Sequence, residues 1–466
     1  MRRYPRIIPA GRSARTRSRL AGVLATVVAA ALLPATAAAH ATTTGGPNPV
    51  SQWNANAIEA ATAACFTPGV DGNPPAESRL YAMTHIAVHD ALNGIDRRFR
   101  PYAVSLHGYA RASVPAAVAA AARGVLVPGL TELSTFLPPQ CVAAGVASVE
   151  TDYAAALAAI PDGPARAAGI RLGERAAAAV RALRTDDGSD TLVQDPNYPQ
   201  GTRPGEYRFT PGAPFAFAPG WGDVTPFTLR DSAQFRPGPP YPVSSRRYAA
   251  DLAEVKRLGG DGVTTPSART ADQTDIALFW VGSSPYTWNA IARQVADRRG
   301  LDPWQSARLF GLLNMALADG YIATFDTKYH YNYWRPVTAI HLADTDGNPA
   351  TSADPTWTPL VPTPPVPDYD SGHSVQGGVA AAVLKQFFHT DRIPFAICSP
   401  TMPAGRSCGE SSPAVRRFAT FSQAADENGV SRILVGFHFR KAVNEGIDHG
   451  RKIGVRAVAR YLPPAD

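Results

Sequence analysis

The segment "DPWQSARLFGLLNMALADGYIATFDTKYHYNYWRP", residues 302–336, begins as a long helical pattern and ends in an aromatic run. This run contains two cations, Lys328 and Arg335, seven positions apart, and Pro336 follows at once. Seven helical residues make about two turns, so we expect both cations on nearly the same face of one helix. Pro336 would then end that helix and leave Arg335 at the rim of a pocket walled by aromatic rings.

Helical patterns dominate the rest of the chain too, whereas the period-2 alternation of strands is rare. The sequence therefore predicts an all-α fold of two stacked helical bundles with long Pro/Gly-rich loops. Besides 302–334, the predicted helices are 77–94, 113–127, 139–159, 163–184, 245–260, 371–388, 413–428 and 431–461.

Composition divides the 466-residue chain, which is long enough for two or three domain-sized cores. Eleven of its 43 prolines fall between residues 196 and 242, among many aromatic residues. We expect this part to be an ordered coil across the protein surface, because it is too aromatic for a flexible linker. The predicted division is an export signal at 1–41, an N-terminal helical region at 42–184, a Pro/Gly/aromatic connecting segment at 185–245, and a C-terminal helical bundle at 246–466 that carries the site described below.

Residues 1–41 are first basic, then apolar, and end in small residues around Ala39. This order is typical of a cleaved export signal and predicts a secreted protein, extracellular or periplasmic; a membrane anchor is the alternative. The net charge of +7 equals the seven arginines of this segment, which has no acid, so the remainder is formally neutral. Charge therefore gives no case for nucleic acid or a membrane as partner, and no later segment is expected to span a bilayer.

Four cysteines follow the predicted signal, and an oxidising compartment favours disulfides. Cys398 and Cys408 enclose the short loop "CSPTMPAGRSC" and are the favoured pair, which leaves Cys65 with Cys141 by elimination. Four unpaired thiols are the alternative.

The motif "PDYDSGHSVQGG", residues 367–378, brings a Pro-rich loop to the start of an Ala-rich helix. A helix start offers unpaired N–H groups and partial positive charge, which suits an oxyanion. Gly372 would let that anion approach the backbone, and Ser371 would add a hydroxyl donor. His373 lies beside them as a candidate proton carrier.

A third motif, "SRILVGFHFRKAVNEG" at 431–446, adds Arg432 and His438. If the three motifs meet, three cations, one helix start and a hydroxyl surround one space. Such a set suits a tetrahedral multivalent oxyanion, and two histidines indicate chemistry on that anion rather than storage.

The ordered set Lys-x6-Arg-Pro, Ser-Gly-His and Ser-Arg-x5-His, within residues 328–438, resembles the signature shared by the vanadium-dependent haloperoxidases and the type 2 phosphatidic acid phosphatases. Each piece alone is weak, whereas the ordered set is specific. The likeness to the long bacterial haloperoxidase-like branch extends over nearly the whole mature region. It includes "WNANAIEAA", "SRLYAMTHIAVHDALNGID", "FRPGPP", "DLAEVKRLGG" and "YWRPVTAI".

The resemblance implies a role for each matched residue toward bound vanadate, with phosphate able to occupy the same site. Lys328, Arg335 and Arg432 would neutralise its equatorial oxygens. Ser371 and the N–H of Gly372 would donate hydrogen bonds to it. His438 would coordinate vanadium, and His373 would be the acid–base group.

The implied activity is oxidation of halide by hydrogen peroxide to a hypohalous equivalent, which halogenates a small organic acceptor. The first alternative is a phosphatase that hydrolyses phosphomonoesters, with His438 as nucleophile and His373 as the acid for the leaving alcohol. The second alternative is a non-catalytic extracellular oxyanion-binding protein. The expected assembly is a homodimer.

Two positions depart from the family pattern. The usual Pro before Ser-Gly-His is Asp370 here, which puts an acid next to the anion site unless it turns outward and caps the helix. The usual Asp four residues after the last His is Ala442, so His438 lacks the carboxylate expected to orient it. Asn444, Glu445 or a backbone carbonyl are the candidate substitutes, and the loss is expected to weaken the phosphatase case more.

Two acids of the long helical segment, Asp319 and Asp326, are open to two interpretations. They would either pair with the pocket cations or be ordinary solvated acids.

Overall fold

The computed structural model describes residues 48–66, 72–133 and 137–465, and Gly46–Asp466 form one compact unit. The predicted export signal at 1–41 lies outside the described residues. The division into an N-terminal region, a connecting segment and a C-terminal bundle stays a prediction.

Five helices form an N-terminal group within the described residues. Each has a proline in its first turn, where the missing N–H costs no helical hydrogen bond. Asn48, Asn73 and Ser113 cap the first three through their side chains. The helices are α1 (Pro49–Ala63), α2 (Pro74–Ile95), α3 (Val114–Glu132), α4 (Pro139–Ala158) and α5 (Pro164–Leu183).

The C-terminal group is built around α11, which packs against α9, α12 and α13. Helix α9 is buried over most of its length and also packs along α2, so one continuous hydrophobic core joins the two groups. The C-terminal helices are α6 (Arg246–Leu258), α7 (Ala271–Phe279), α8 (Ser284–Arg298), α9 (Pro303–Tyr331), α10 (Pro336–His341), α11 (Gly372–Phe388), α12 (Phe421–Leu434) and α13 (Arg440–Arg460).

Strands are minor in the described residues. Strand β1 (Gln194–Asp195) pairs antiparallel with β2 (Ala216–Phe217), and β3 (Phe395–Cys398) pairs antiparallel with β4 (Val415–Phe418). The all-α prediction of stacked helical groups with long loops is confirmed.

The expectation that Lys328 and Arg335 lie on one helix was wrong. Helix α9 ends at Tyr331, because Asn332 adopts a left-handed conformation with φ 47°. Arg335 is the N-cap of the next helix, and Pro336 begins that helix instead of ending the previous one. Arg335 is also 1% exposed, so it lies in the interior and not at a rim.

The prediction of helices at 413–428 and 431–461 misplaced the break between them. Strand β4 takes the start of the first range, α12 runs through to Leu434, and the connection to α13 lies at 435–439. This connection contains Gly436, whose φ of 89° is a backbone conformation that favours glycine.

Asp319 and Asp326 matched neither interpretation. Asp319 is buried and accepts from the backbone N–H groups of Phe227 and Thr228 at 2.6 Å each, which ties the connecting segment to α9. Asp326 makes a two-pronged ion pair with Arg236 at 2.7 and 2.8 Å.

Cysteines pair as predicted, Cys65 with Cys141 and Cys398 with Cys408. The Cα–Cα separations are 5.6 and 5.3 Å, which suit disulfides.

Among the described helices, α3 alone has the length and composition of a membrane span. The most apolar part of α3 is 56% buried within the protein, where it packs against α2, α4 and α5. The expectation that no segment after the signal is long and apolar enough to span a bilayer was therefore wrong.

Candidate functional site

The three sequence motifs meet where α9 ends, α11 begins and α12 gives way to α13. The best evidence is His438, whose ring lies 2.9 Å from Asp368 and 3.0 Å from Arg335. The backbone N–H of Ser371 also donates to the carbonyl of Ala442, which joins the start of α11 to α13. Residues far apart in sequence therefore come together in the interior.

Lys328, in the last turn of α9, is 2% exposed and points at the loop before α11. Its Nζ donates to the carbonyls of Pro367 and Asp368 at 2.8 and 3.0 Å, which leaves one ammonium proton for another acceptor. Burial, and after it the charge of Arg335, lowers the pKa of Lys328 to about 7. An anion beside Lys328 would favour its charged form.

Arg335 is fixed by three groups in the interior. Its Nε donates to the carbonyl of Val366 at 2.6 Å, and one terminal nitrogen donates to the carbonyl of Phe437 at 2.9 Å. The same terminal nitrogen lies 3.0 Å from Nε2 of His438. A guanidinium only donates, so Nε2 must carry the lone pair of the imidazole.

Arg432, in the last turn of α12, is fully buried but only partly paired. One terminal nitrogen donates to the carbonyl of Trp280 at 3.1 Å, whereas Nε and the second terminal nitrogen have no partner in the protein. Burial, followed by the charge of Arg335, lowers the pKa of Arg432 to about 9. A buried guanidinium with unpaired donors is costly unless an acceptor binds there.

Asp368 orients His438 from the loop before α11. Its Oδ1 lies 2.9 Å from Nδ1, and since Nε2 holds the lone pair, Nδ1–H donates to the carboxylate. Burial raises the pKa of Asp368 to about 7, against the lowering effect of Arg335 and Lys328. Burial and the three nearby cations lower the pKa of His438 well below its usual range, so the imidazole is neutral.

Sequence reasoning missed Asp368. The substitutes it named for the absent carboxylate at Ala442 do other things: Glu445 accepts from Lys441, and the side chain of Asn444 is exposed. The signal that could have found Asp368 is an acid three residues before Ser371, within the same loop.

The start of α11 follows that loop directly. Ser371 is its N-cap residue, is buried, and accepts from the hydroxyl of Ser374 at 2.9 Å instead of capping the helix. A Cβ added to Gly372 would meet only Thr324, at 3.9 Å, so the approach to the backbone N–H is open. This end of the helix is available to an anion.

His373 is half-buried next to Gly372. Its Nε2 lies 3.0 Å from the carbonyl of Gly282, which only accepts, so Nε2 carries the proton and Nδ1 the lone pair. Burial, Arg432 and Lys328 lower the pKa of His373 well below its usual range. The ring is therefore neutral and able to accept a proton at Nδ1.

Asp370 does not cap α11. Its carboxylate is buried and accepts from Thr324 Oγ1 at 2.5 Å and from Nδ1 of His449 at 2.8 Å. The expectation that it turns outward and caps the helix was wrong, because a histidine of α13 and a threonine of α9 take both of its oxygens. Asp370 is nevertheless an acid near the site, since burial lowers the pKa of Lys328 and the charge of Asp370 opposes this lowering.

Taken together, Lys328, Arg335 and Arg432 are buried close enough to His438 for their charges to act on it, and the His438 ring engages the carboxylate of Asp368. The donors without protein partners belong to Arg432, Lys328 and the start of α11. This donor set fits a small multivalent oxyanion such as vanadate or phosphate, because each unpaired donor gains an acceptor and the cations gain a counter-charge.

Comparison with known proteins gives a family match and a curated relative. Residues 308–464 match the family model described as the VCPO second helical-bundle domain. A curated relative, the vanadium chloroperoxidase of Curvularia inaequalis, is 26% identical over 305 residues, which covers 53% of this chain and 48% of that protein. The chain thus spans about half the length of the curated relative it matches.

Solved structures share the fold over a larger part of the chain. A structure of the first bacterial vanadium-dependent iodoperoxidase has a TM-score of 0.71 at 22% identity, covering 91% of this chain and 99% of that one. A holo-type bacterial vanadium-dependent chloroperoxidase has a TM-score of 0.67 at 16% identity, covering 88% and 96%. The resemblance drawn from the three motifs is confirmed.

Proposed function

We propose that this chain, a member of the vanadium haloperoxidase superfamily by its C-terminal helical bundle, is a vanadate-dependent haloperoxidase. It would use hydrogen peroxide to oxidise a halide to a hypohalous equivalent, which then halogenates a small organic acceptor. The observation that carries the proposal is Arg432, a buried guanidinium with two unpaired donor groups beside the neutral imidazole of His438.

The cations would hold the oxyanion. Lys328 has one free ammonium proton, and Arg432 has two donor groups to offer. Arg335 would turn from Nε2 of His438 toward an oxygen, which frees the lone pair of Nε2 for vanadium. The Ser371 hydroxyl and the N–H of Gly372 would complete the donor set.

Vanadate, when bound, supplies a Lewis-acid centre that polarises peroxide toward attack by halide. The protein keeps that centre in a dry, positively charged space, where electrostatic interactions are strong. Asp368 keeps Nδ1 of His438 protonated, so Nε2 always presents its lone pair.

His373 would move the proton. Its Nε2–H is held by Gly282, so Nδ1 can take a proton from hydrogen peroxide and return it to the leaving oxygen. Burial first, and then the charges of Arg432 and Lys328, keep the pKa of His373 low. A bound oxyanion would offset both cations and raise that pKa toward the working range.

A phosphatase of the same superfamily is the second candidate, and the Asp368–His438 pair favours it. A neutral imidazole with a fixed Nε2 lone pair is also what a histidine nucleophile needs, and His373 would protonate the leaving alcohol. The expectation that Ala442 weakens this activity loses its basis, because Asp368 supplies the carboxylate.

Two disulfides favour an oxidising compartment as the place of action. Secretion after cleavage of residues 1–41, and the absence of nucleic acid and membrane partners, stay predictions; so does assembly as a homodimer.

Assays with and without vanadate distinguish the candidates. We expect protein loaded with orthovanadate to brominate a chromogenic acceptor with peroxide, and His438→Ala to abolish this. His330→Ala, which removes an exposed histidine of the same sequence region, is the matched control. Phosphomonoester hydrolysis without bromination would support the phosphatase instead. Tight binding of vanadate with neither activity would overturn both and indicate a binding protein.

A further inference from the structure

We propose that the loop closed by Cys398 and Cys408 positions His373 and Arg432 for the proposed reaction. It would act through the connection between α7 and α8, residues 280–283. The inference rests on the proposed function for its kinetic readout. The loop itself is called the disulfide loop below, and it comprises residues 398–408.

The α7–α8 connection holds two site residues by backbone carbonyls. The carbonyl of Trp280 accepts from Arg432 at 3.1 Å, and that of Gly282 accepts from Nε2 of His373 at 3.0 Å. Within the described residues, the bond to Trp280 is the only hydrogen bond that the Arg432 side chain makes to the protein. The bond to Gly282 sets the tautomer of His373. A shift of this short segment would therefore move an anion-binding group and the proton carrier together.

Thr401 of the disulfide loop touches the connection and the turn before it. Its hydroxyl donates to the carbonyl of Leu278 at 2.9 Å, near the end of α7. Its methyl group packs on Gly282, since a Cβ added to Gly282 would lie 2.9 Å from that methyl carbon. One threonine thus contacts both the last turn of α7 and the connection that follows it.

The disulfide keeps Thr401 in place. Ser399 Oγ and Thr401 Oγ1 are 2.8 Å apart, and the N–H of Cys408 donates to the carbonyl of Ser399 at 3.1 Å. Arg406 makes a two-pronged ion pair with Asp275 of α7, at 2.6 and 2.9 Å. The tip of the loop, 403–406, is exposed, so the bridge limits the conformations that the loop can adopt.

The second disulfide provides a control for stability alone. Cys65 follows α1 and Cys141 lies in α4, both in the N-terminal helical group. Neither α1 nor α4 contributes a hydrogen bond to His373, Arg432 or His438. Removing this bridge should lower the thermal midpoint without moving the site.

The test compares matched variants of the full chain. Thr401→Val keeps the shape but removes the hydroxyl, and Thr401→Ser keeps the hydroxyl. Cys398→Ala with Cys408→Ala opens the disulfide loop, and Cys65→Ala with Cys141→Ala opens the control bridge.

We expect Thr401→Val to weaken binding of orthovanadate and of inorganic phosphate about fivefold, which is the effect of one lost hydrogen bond. Opening the disulfide loop should weaken anion binding more. Thr401→Ser keeps the hydroxyl but loses the methyl on Gly282, so it should weaken binding less than opening the loop does. Opening the control bridge should not weaken it.

A second readout needs no activity. In the protein without vanadate, hydrogen exchange of the amides at 280–283 should speed up when the disulfide loop is opened and stay unchanged when the control bridge is opened. The pH profile of turnover should also shift, because His373 loses its fixed acceptor.

Unchanged anion affinity and unchanged exchange at 280–283 after opening the disulfide loop would overturn the inference. Equal losses from opening either bridge would do so too, because they would indicate general destabilisation. A different outcome would separate the two proposals. If neither the wild type nor any variant brominates the acceptor, the proposed function fails. If anion binding and hydrogen exchange still respond as expected, the positioning role of the disulfide loop stands.

Discussion

Asp368 and His438 are 70 residues apart in sequence, and their Oδ1 and Nδ1 atoms lie 2.9 Å apart in the buried site. The same imidazole has Arg335 3.0 Å from its other nitrogen. A carboxylate on one side and a guanidinium on the other allow one tautomer, with the proton on Nδ1 and the lone pair on Nε2. The tautomer of the ring is thus fixed before any ligand arrives, with the Nε2 lone pair held by Arg335.

Removal of this carboxylate should weaken the site. We expect Asp368→Asn to lower vanadate affinity about 10- to 100-fold, the usual cost of losing a group that orients a metal ligand. Vanadium NMR titration of the variant measures it. Asp326→Asn is the matched control, because Asp326 pairs with Arg236 at the side of α9 and does not touch His438. Equal affinities of Asp368→Asn and the wild type would show that Asp368 does not prepare the imidazole.

We expect Arg432 to lower the free energy of unfolding of the ligand-free protein. Its Nε and one terminal nitrogen are buried without partners, so Arg432→Met should leave the free energy of unfolding unchanged or raise it by about 1–3 kcal/mol. The same variant should lose the rise in thermal midpoint that orthovanadate causes in the wild type. Thermal unfolding with and without vanadate checks both. A ligand-free variant that unfolds earlier, or one still stabilised by vanadate, would contradict this account.

Lys328 should make oxyanion binding dependent on pH. Its pKa is lowered to about 7 in the folded protein, so the ammonium is lost as pH rises through 7 and phosphate affinity should fall above it. From about 7 to the ordinary lysine pKa of 10.5, the unfolded chain binds more protons at this residue than the folded one. Its contribution to the stability of the ligand-free protein therefore rises with pH in that window.

Calorimetric titration with phosphate from pH 6 to 9 tests the Lys328 prediction. In Lys328→Met the affinity should be lower throughout, and its decline above pH 7 should be shallower than in the wild type. An identical pH dependence in both proteins would assign the effect to another group.

Asp370 should matter for stability. Asp370→Asn leaves Thr324 and His449 competing for a single acceptor oxygen in the interior, which should cost about 1–3 kcal/mol of unfolding free energy. Urea unfolding of the variant measures this loss. Asp448→Asn, which removes an exposed carboxylate paired with Arg451 and Lys452, should cost less than about 1 kcal/mol. Similar costs for the two variants would mean that the buried contacts of Asp370 add nothing.

Local patterns were enough to predict most helices. The predicted helix at 139–159 is α4 at Pro139–Ala158, and the one at 371–388 is α11 at Gly372–Phe388, because prolines stand just before or at the start of the first and in the loop before the second. The long pattern at 302–334 was predicted to run on through its aromatic end. It stops at Tyr331, where the backbone of Asn332 turns left-handed, and propensity does not reveal a turn that long-range packing favours.

The residues of the candidate site could be predicted because the order and spacing of its motifs lie in the chain itself. The partners of those residues could not be. Asp368 holds His438, His449 holds Asp370, and Gly282 holds His373, each across dozens of positions. Such pairs depend on how α11, α12 and α13 pack around one another, since that packing decides which buried polar groups come within bonding distance of each other.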